Sequence, residues 1–174
     1  MGNLRFEVIK SGKRILSVNT RMLMNFINEF IDENAPIIYD KKISLKDEKE
    51  FQKLKAKEID GKRTIFVLCW DGKKLVGNSS ASLEPHKQSH NATFGLVVRK
   101  GYRGIGVGEK LLSMGIKQAK GHLKAKYLWL DYIEGNKPAR KLYEKLGFKE
   151  VARLEGYVKH KGKHVDKIIM KYAK

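Results

Sequence analysis

The spacing of apolar residues predicts strands and helices that are interspersed along the chain. Residues 4–9 (LRFEVI) alternate polar and apolar side chains, as a strand does, and the following SGKR predicts a turn. Apolar residues then recur at helical spacing from about residue 20 to residue 32. A second, charged surface helix ends at Gly61. The apolar residues that trace this second helix are Leu45, Phe51, Leu54 and Ile59.

The middle of the chain predicts a hairpin, then a strand and a helix. Apolar runs at residues 63–70 and 75–83 flank the sequence DGKK, and Asp-Gly between two apolar runs is a strong turn signal. A polar loop separates this hairpin from a strand at residues 92–98. A helix follows from about residue 106 to residue 121.

The last third of the chain predicts one more helix between strands. Residues 126–133 (KYLWLDYI) have the composition of a strand, and a short helix is predicted at residues 137–147. The remaining residues predict strands with a hairpin turn at Lys161-Gly162. No repeat, low-complexity run or interdomain linker interrupts the pattern. We therefore predict that residues 1–174 form one domain of the α/β (α+β) class, with a mixed sheet and helices on its faces.

The composition excludes several classes of protein. Hydrophobic residues make up 41% of the 174 residues, and no apolar stretch approaches the roughly 20 residues that span a bilayer. The N-terminus lacks the apolar core of a secretory signal and the myristoylation pattern. The single cysteine, Cys69, lies in a strand-like run and is expected to be a buried thiol. We expect a soluble, cytoplasmic protein without a membrane partner.

The net charge narrows the possible partners. Lysine and arginine total 37 against 19 acidic residues, which gives a formal charge of +18. Such a surface attracts polyanions at low salt, including nucleic acid, acidic protein surfaces and phosphorylated cofactors. A lysine-rich solvated surface of the kind found in thermophile proteins explains the same charge without a partner. The sequence leaves both interpretations open.

A cluster of glycines in RKGYRGIGVGEKLL, residues 99–112, lies between the strand at 92–98 and the helix that follows. Glycines in such a turn expose backbone N–H groups at the positive end of the helix dipole, and this arrangement is suited to a phosphate group. The dinucleotide fingerprint G-x-G-x-x-G does not fit, because Glu109 occupies the position of the third glycine. The nucleotide-binding pattern G-x-x-x-x-G-K-[ST] is absent as well.

Two motifs carry a resemblance to a known family. The segment Arg103-Gly104-Ile105-Gly106-Val107-Gly108 matches the pattern R/Q-x-x-G-x-G/A, and LWLDYIEGNKPARKLYEKLGF contains a strand, an Asn, an Ala three residues later and LYEKLGF. Together they resemble the GCN5-related N-acetyltransferases (GNAT family) over roughly residues 92–150. LWLDY and the terminal DKIIM are most similar to the branch that acetylates the N-terminal alanine of ribosomal proteins.

The resemblance implies a fold and a cofactor. In the GNAT fold two central parallel strands splay apart, and the pantetheine arm of acetyl-coenzyme A (acetyl-CoA) enters between them. The arm bonds to the backbone of the first strand, as an added strand would, and the pyrophosphate sits on amides of the glycine loop. The implied cofactor-binding residues are Leu96, Val97, Val98, Arg103, Gly104, Ile105, Gly106, Val107, Gly108, Glu109, Asn136, Ala139, Arg140 and Tyr143.

The same resemblance implies catalytic residues. Tyr143 matches a tyrosine near the thioester sulfur that acts as general acid in many members of the family; its apolar helix face is also compatible with a core aromatic. Asn136 would contact the pantetheine arm, cap the helix, or do both. Arg140 could reach a cofactor phosphate or lie exposed without a ligand.

The general base is a carboxylate in this interpretation. Relatives that acetylate a ribosomal protein carry Glu in a segment LEV, and here the segment LDY places Asp131 at that position. A base that acts through a water tolerates the shorter side chain better than one that acts directly. Asp131 is equally compatible with a solvated strand residue, and Glu134 is the reserve candidate.

The five histidines do not predict a metal site. His86 and His90 lie in a loop, and His160 and His164 flank a hairpin turn. Neither pair has helical spacing or an accompanying cluster of cysteines or carboxylates. We expect no metal cofactor.

Three functions remain open from the sequence. The first is acetylation of a protein or peptide N-terminal amine, whose pKa near ~8 makes a weak base sufficient. The second is acetylation of a small amine, because LEGYVKHKGKHVD resembles relatives that act on antibiotics, polyamines or amino-acid analogues. The third is an inactive RNA- or ribosome-binding module, although no aromatic-interleaved RNA motif is present. The protein could be a monomer or a homodimer.

Overall fold

Seven strands form one mixed sheet in the computed structural model, which describes residues 3–174. The strands are β1 (Leu4–Ile9), β2 (Thr64–Asp71), β3 (Lys74–Leu83), β4 (Asn91–Val98), β5 (Tyr127–Ile133), β6 (Phe148–His160) and β7 (Lys163–Tyr172). The helices are α1 (Gly12–Leu16), α2 (Thr20–Asp32), α3 (Leu45–Asp60), α4 (Val107–Gly121) and α5 (Lys137–Leu146). The strand order is β1-β2-β3-β4-β5-β7-β6. Only β4 and β5 are parallel neighbours.

The two parallel strands separate halfway along their length. Residues 91–94 of β4 pair with residues 127–130 of β5. Beyond this point residues 95–98 of β4 pair with β3, and residues 131–133 of β5 pair with β7. The splay that the sequence predicted is therefore confirmed, and it leaves one edge of each strand unpaired at their carboxyl ends.

Helices cover both faces of the sheet, because successive side chains of a strand point to opposite faces. Phe66 and Leu68 of β2 pack in the core cluster that includes residues of α2 and α3. Val67 and Cys69 of the same strand pack against α4. The thiol of Cys69 is fully buried, and burial raises its pKa. The predicted fold class and the buried cysteine are confirmed.

The predicted turn at SGKR is wrong, because residues 12–16 form helix α1. Ser11 caps this helix by accepting a hydrogen bond from the Arg14 amide at 3.2 Å. Ile15 is buried, and the Gln52 side chain of α3 donates hydrogen bonds to the carbonyls of Ile15 (2.6 Å) and Val18 (2.8 Å). These contacts with a distant helix stabilise a turn of helix that the local sequence does not predict.

The hairpin turns occur where the sequence predicts them. Gly72 has a φ of +56° between β2 and β3, and Lys161-Gly162 joins β6 to β7 with both φ angles positive. No helix in residues 3–174 has the length and apolarity to cross a membrane.

Candidate active site

A cavity of about 670 Å³ lies between the splayed strands and the helices on one face of the sheet. Its floor is formed by β2, β3, β4 and β5, and its opposite wall by α2, α3 and the loop between these helices. Asn136 and Tyr143 reach it from the start and the middle of α5. The splay therefore opens a route from one face of the sheet toward the other.

The glycine loop leaves the start of α4 without a cap. Gly106 is the N-cap residue, with a φ of +86°, and no side chain satisfies the first turn of this helix. A side chain caps each of the other four helices between residues 3 and 174. Within the same residues, no backbone carbonyl accepts a hydrogen bond from the amides of residues 104–109. These amides are available to an anion.

The glycines of this loop have different roles. Gly104 has a φ of +78°, and a Cβ on Gly104 or on Gly106 would meet no atom within 4 Å. Space for a ligand therefore lies next to both residues. A Cβ on Gly108 would lie 3.3 Å from Leu142 Cδ2, so Gly108 allows close packing of α4 against α5. Between them Ile105 is 43% exposed and Val107 is buried.

Arg103 connects the glycine loop to α2. Its Nε donates to the Val98 carbonyl at 2.7 Å, and its guanidinium donates to the Glu33 carboxylate at 2.8 Å. The guanidinium also lies 5.8 Å from the centre of the Phe30 ring. The side chain of Glu109 pairs with Lys145 at 2.6 Å. The side chains of Arg103 and Glu109, which are both predicted to bind the cofactor, thus have partners within the protein.

The unpaired edge of β4 faces the cavity. Leu96 and Val97 line it, and Val98, at the end of the strand, is half-buried beside the glycine loop. Residues 95–98 pair with β3 on one side and with no strand on the other. An extended ligand could therefore add to this edge through backbone hydrogen bonds.

Tyr143 belongs both to the core and to the cavity. Its ring lies 6.1 Å from that of Tyr132 and 6.3 Å from that of Phe148, and its side chain lines the cavity. Burial, together with the nearby charge of Asp131, raises the pKa of Tyr143 to about 12. The phenol is neutral at pH 7 and holds a proton that it can donate.

Asp131 lines the cavity, whereas Glu134 does not. Asp131 is half-buried on β5, and its carboxylate lies 3.2 Å from Lys167 Nζ. Glu134 is exposed and pairs with Arg153 at 2.6 Å. Of the two candidate bases, the structure brings only Asp131 together with Tyr143.

The chain resembles proteins of one family in both sequence and fold. The Acetyltransferase (GNAT) family matches residues 27–148. This chain belongs to the GNAT family. It is 31% identical over 103 residues to an N-alpha-acetyltransferase of Sulfurisphaera tokodaii, with 58% of each chain covered. It is 29% identical over 110 residues to an L-amino acid N-acetyltransferase of Escherichia coli, with 63% of this chain and 67% of the relative covered.

The fold extends beyond these sequence matches. A Salmonella typhimurium protein, solved with its cofactor acetyl-CoA, superposes with a TM-score of 0.80 at 15% identity. The likeness covers 98% of this chain and 93% of the other. By contrast, the sequence match spans little more than half the length of the Sulfurisphaera relative.

The start of α5 in this GNAT chain is capped as the sequence predicts. Asn136 Oδ1 accepts a hydrogen bond from the Ala139 amide at 3.3 Å, and Asn136 also lines the cavity. Ala139 packs against the core. Arg140 is exposed and pairs with Glu144 at 2.8 Å. Residues 3–174 contain no group of three or more His, Cys, Asp or Glu side chains that could hold a metal ion.

The structure also places in the cavity residues that no motif indicated. Glu48 of α3 is 5% exposed, and Asn78 of β3 has a buried Oδ1 without a hydrogen-bond partner among residues 3–174. Burial raises the pKa of Glu48 to about 7. The signal that could have identified Glu48 is its spacing of four and eight residues from Gln52 and Ala56, which are also buried on the same helix.

Helix α3 turns a different face inward from the one that its apolar residues suggest. Of the four apolar residues that trace it in the sequence, only Ile59 is buried. Leu45, Phe51 and Leu54 are 40%, 41% and 53% exposed. Phe51 is the exposed apolar residue of this helix that lines the cavity, beside the buried Glu48 and Gln52, and this mixture of side chains is suited to a ligand.

Proposed function

We propose that this GNAT protein is an N-acetyltransferase that moves an acetyl group from acetyl-CoA directly to a primary amine. A protein or peptide N-terminus is the acceptor that we favour. One observation carries the proposal: Tyr143, Asp131 and the unpaired edge of β4 line one cavity at the splayed strands, and the uncapped glycine loop directly follows β4. The site thus combines anion-binding amides with a proton donor and a carboxylate.

The residues present fit acetyl-CoA. The amides of residues 104–109 would hold the pyrophosphate, in the space that the absence of side chains on Gly104 and Gly106 leaves open. The edge of β4 at Leu96 and Val97 would bind the amides of the pantetheine arm. When bound, acetyl-CoA supplies the acetyl group as a thioester.

The two cavity residues would handle the protons. Tyr143 holds a proton on Oη at neutral pH, because its pKa is about 12, and would give this proton to the departing sulfur. Asp131 would accept a proton from the amine through a water molecule. Lys167, whose Nζ lies 3.2 Å from the Asp131 carboxylate, would hold this side chain in position.

Two names among the relatives support the two kinds of acceptor. The Sulfurisphaera relative is named for α-amine acetylation and the Escherichia coli relative for L-amino acids. The resemblance of LWLDY and DKIIM favours the N-terminal amine. Acetylation of a small amine is the alternative, and the cavity volume of about 670 Å³, a size suited to a small ligand, is the observation that favours it.

The test is the release of coenzyme A thiol from acetyl-CoA in the presence of candidate acceptors. One panel contains short peptides with free N-termini, and the other contains amino acids, polyamines and aminoglycosides. We expect turnover that is saturable and highest with peptides. Selective turnover of small amines would favour the alternative, a small-molecule amine acetyltransferase. Absence of turnover with both panels, together with acetyl-CoA binding that vanishes at high salt, would contradict the proposal.

A further inference from the structure

One wall of the cavity is built from apolar side chains. Phe26 and Ile27 of α2 and Phe66 and Leu68 of β2 line the cavity and belong to one core cluster. The mouth is apolar as well: Ile38, Tyr39 and Phe51 line it and are 77%, 43% and 41% exposed. Large apolar side chains that remain exposed together beside a cavity indicate a ligand that covers them.

The charged residues of the cavity are mostly acidic, in contrast to the +18 charge of the whole chain. Its carboxylates are Asp47, Glu48 and Asp131, and its lysine is Lys55. Lys55 is already paired with Glu58 at 2.7 Å. A cavity of this composition attracts a cation, although the surface around the protein attracts anions.

Glu48 is the carboxylate that lacks a partner. Asp47 bonds to Ser44 in the capping box of α3, and Asp131 lies 3.2 Å from Lys167. Among residues 3–174, no side chain donates a hydrogen bond to the Glu48 carboxyl or forms an ion pair with it, and the residue as a whole is 5% exposed. Folding removes most of the Glu48 side chain from water and gives its carboxyl no partner, so a donor that arrives with the ligand would offset the cost of this desolvation.

A second unpartnered acceptor lies in the same cavity. Asn78 Oδ1 is buried and accepts no hydrogen bond within residues 3–174. An ammonium group carries three N–H donors and no acceptor. It therefore complements a cavity that offers one carboxyl and one amide oxygen without donors.

We propose that the acceptor is a primary ammonium on an apolar body, with Glu48 and Asn78 binding its N–H groups and the apolar wall binding its body. The inference rests on the proposed function and names the chemistry of its acceptor. The same chemistry can come from a peptide whose first residue is apolar or from a small apolar amine. Glu48 is an acceptor-binding residue in this arrangement.

The test is calorimetric binding to the whole protein, which needs no turnover. The probes are Phe-Ala-Ala amide, its analogue without the amine (3-phenylpropanoyl-Ala-Ala amide), Ser-Ala-Ala amide and 2-phenylethylamine. We expect Phe-Ala-Ala amide to bind at least about tenfold tighter than the analogue without the amine and than the serine peptide. Binding of 2-phenylethylamine as tight as that of the phenylalanine peptide would identify a small amine as the source.

Two variants distinguish the contribution of the Glu48 carboxyl to probe binding from the contribution of the apolar side chains. Glu48→Gln should lose the preference for the amine over its amine-free analogue, and Phe51→Ser should lose the preference for phenylalanine over serine. Glu50→Gln is the matched control, because Glu50 is exposed on the same helix. Three results would overturn the inference. The first is that Glu48→Gln binds the amine as tightly as the unchanged protein does, the second is that the unchanged protein binds the serine peptide as tightly as the phenylalanine peptide, and the third is that no probe binds.

Acetyl-CoA turnover is measured separately. A protein that turns over acetyl-CoA but binds amines independently of Glu48 would contradict this inference and leave the proposed function standing. A protein that binds the phenylalanine peptide through Glu48 but never releases coenzyme A thiol would contradict the proposed function alone.

Discussion

The two sides of the cavity are built on different principles. The side toward α4 presents backbone: the unpaired edge of β4 and, in the loop that follows this strand, the amides of residues 104–109. The side toward α2 and α3 presents side chains, including Glu48 and the apolar residues around it. A site made of backbone needs glycines at fixed positions, which a local motif records. A site made of side chains needs only that distant residues meet, and no local motif records that.

This difference allows the two sides to recognise the cofactor and the acceptor independently. Backbone amides bind a phosphate whatever the surrounding residue types are, so this side suits a constant cofactor. The side chains of α3 and of the loop after α2 that line the cavity lie outside the sheet. The variable acceptor is therefore expected on that side.

The largest expected effect comes from blocking the backbone side. Gly106→Val places a branched side chain at a φ of +86° and in the space beside the loop amides. We expect acetyl-CoA affinity, measured by calorimetry, to fall by more than about a hundredfold, since hydrogen bonds to a charged group are lost. Gly162→Val is the matched control, because Gly162 has a φ of +77° in the turn between β6 and β7, and a Cβ there would meet no atom within 4 Å. An equal loss of affinity in the control would attribute the effect to backbone strain.

The next largest effect is expected on kcat when Tyr143, which lines the cavity, loses its hydroxyl. Tyr143→Phe removes the proton donor and keeps the ring, so kcat should fall by about a hundredfold while acetyl-CoA affinity stays unchanged. Tyr132→Phe changes a neighbouring phenol and should keep most of the activity. Steady-state kinetics of both variants decide the question. If the two variants have the same kcat, Tyr143 is only a core aromatic.

A smaller effect is expected in the pH dependence of the free energy of unfolding, through Glu48 on α3. The pKa of Glu48 rises from 4.5 to about 7 on folding, so the folded state keeps a proton that the unfolded state releases between these values. Stability therefore falls as pH rises through this window, and the cost is fully present above pH 7. Glu48→Gln should be more stable than the unchanged protein by about 2 kcal/mol at pH 8, allowing for water in the cavity.

The measurement for this prediction is urea unfolding at pH 8 and at pH 4.5. The advantage of the Gln variant should be largest at pH 8 and absent at pH 4.5, where the carboxyl is protonated in the folded protein. Because the other carboxylates titrate in the same way in both proteins, their contributions cancel in the difference between the two free energies of unfolding. A constant difference across the pH range would show that Glu48 does not titrate in this window.

The smallest effect concerns the contact that joins the two sides. Arg103 of the glycine loop pairs with Glu33 at the end of α2, and their side chains are 44% and 28% exposed. Partly exposed pairs contribute little, so Glu33→Gln should cost less than about 1 kcal/mol in thermal unfolding. We expect acetyl-CoA affinity to change by less than about threefold. A larger change would mean that the acceptor side controls the cofactor side.

The sequence indicated the backbone side well. The splay of β4 and β5 was implied by the resemblance to the GNAT family, whereas the helices on both faces and the cap of α5 at Asn136 follow predictions from the residue pattern. The roles of Tyr143 and Asp131 in catalysis stay predictions, and the structure brings both to one cavity. Helix α1 was not predicted, because its stability depends on Gln52, almost forty residues away.

The sequence by itself determined the element order apart from helix α1, the position of the glycine loop and the family, because these depend on local spacing and backbone conformation. Only the tertiary structure decided which face of α3 turns inward. The apolar spacing of that helix did not indicate that Glu48 and Gln52 are buried while Phe51 and Leu54 are exposed. A helix normally buries its apolar residues, and here the surface that covers α3 includes a cavity and polar groups of α1. The acceptor side could therefore be recognised only once distant elements had met.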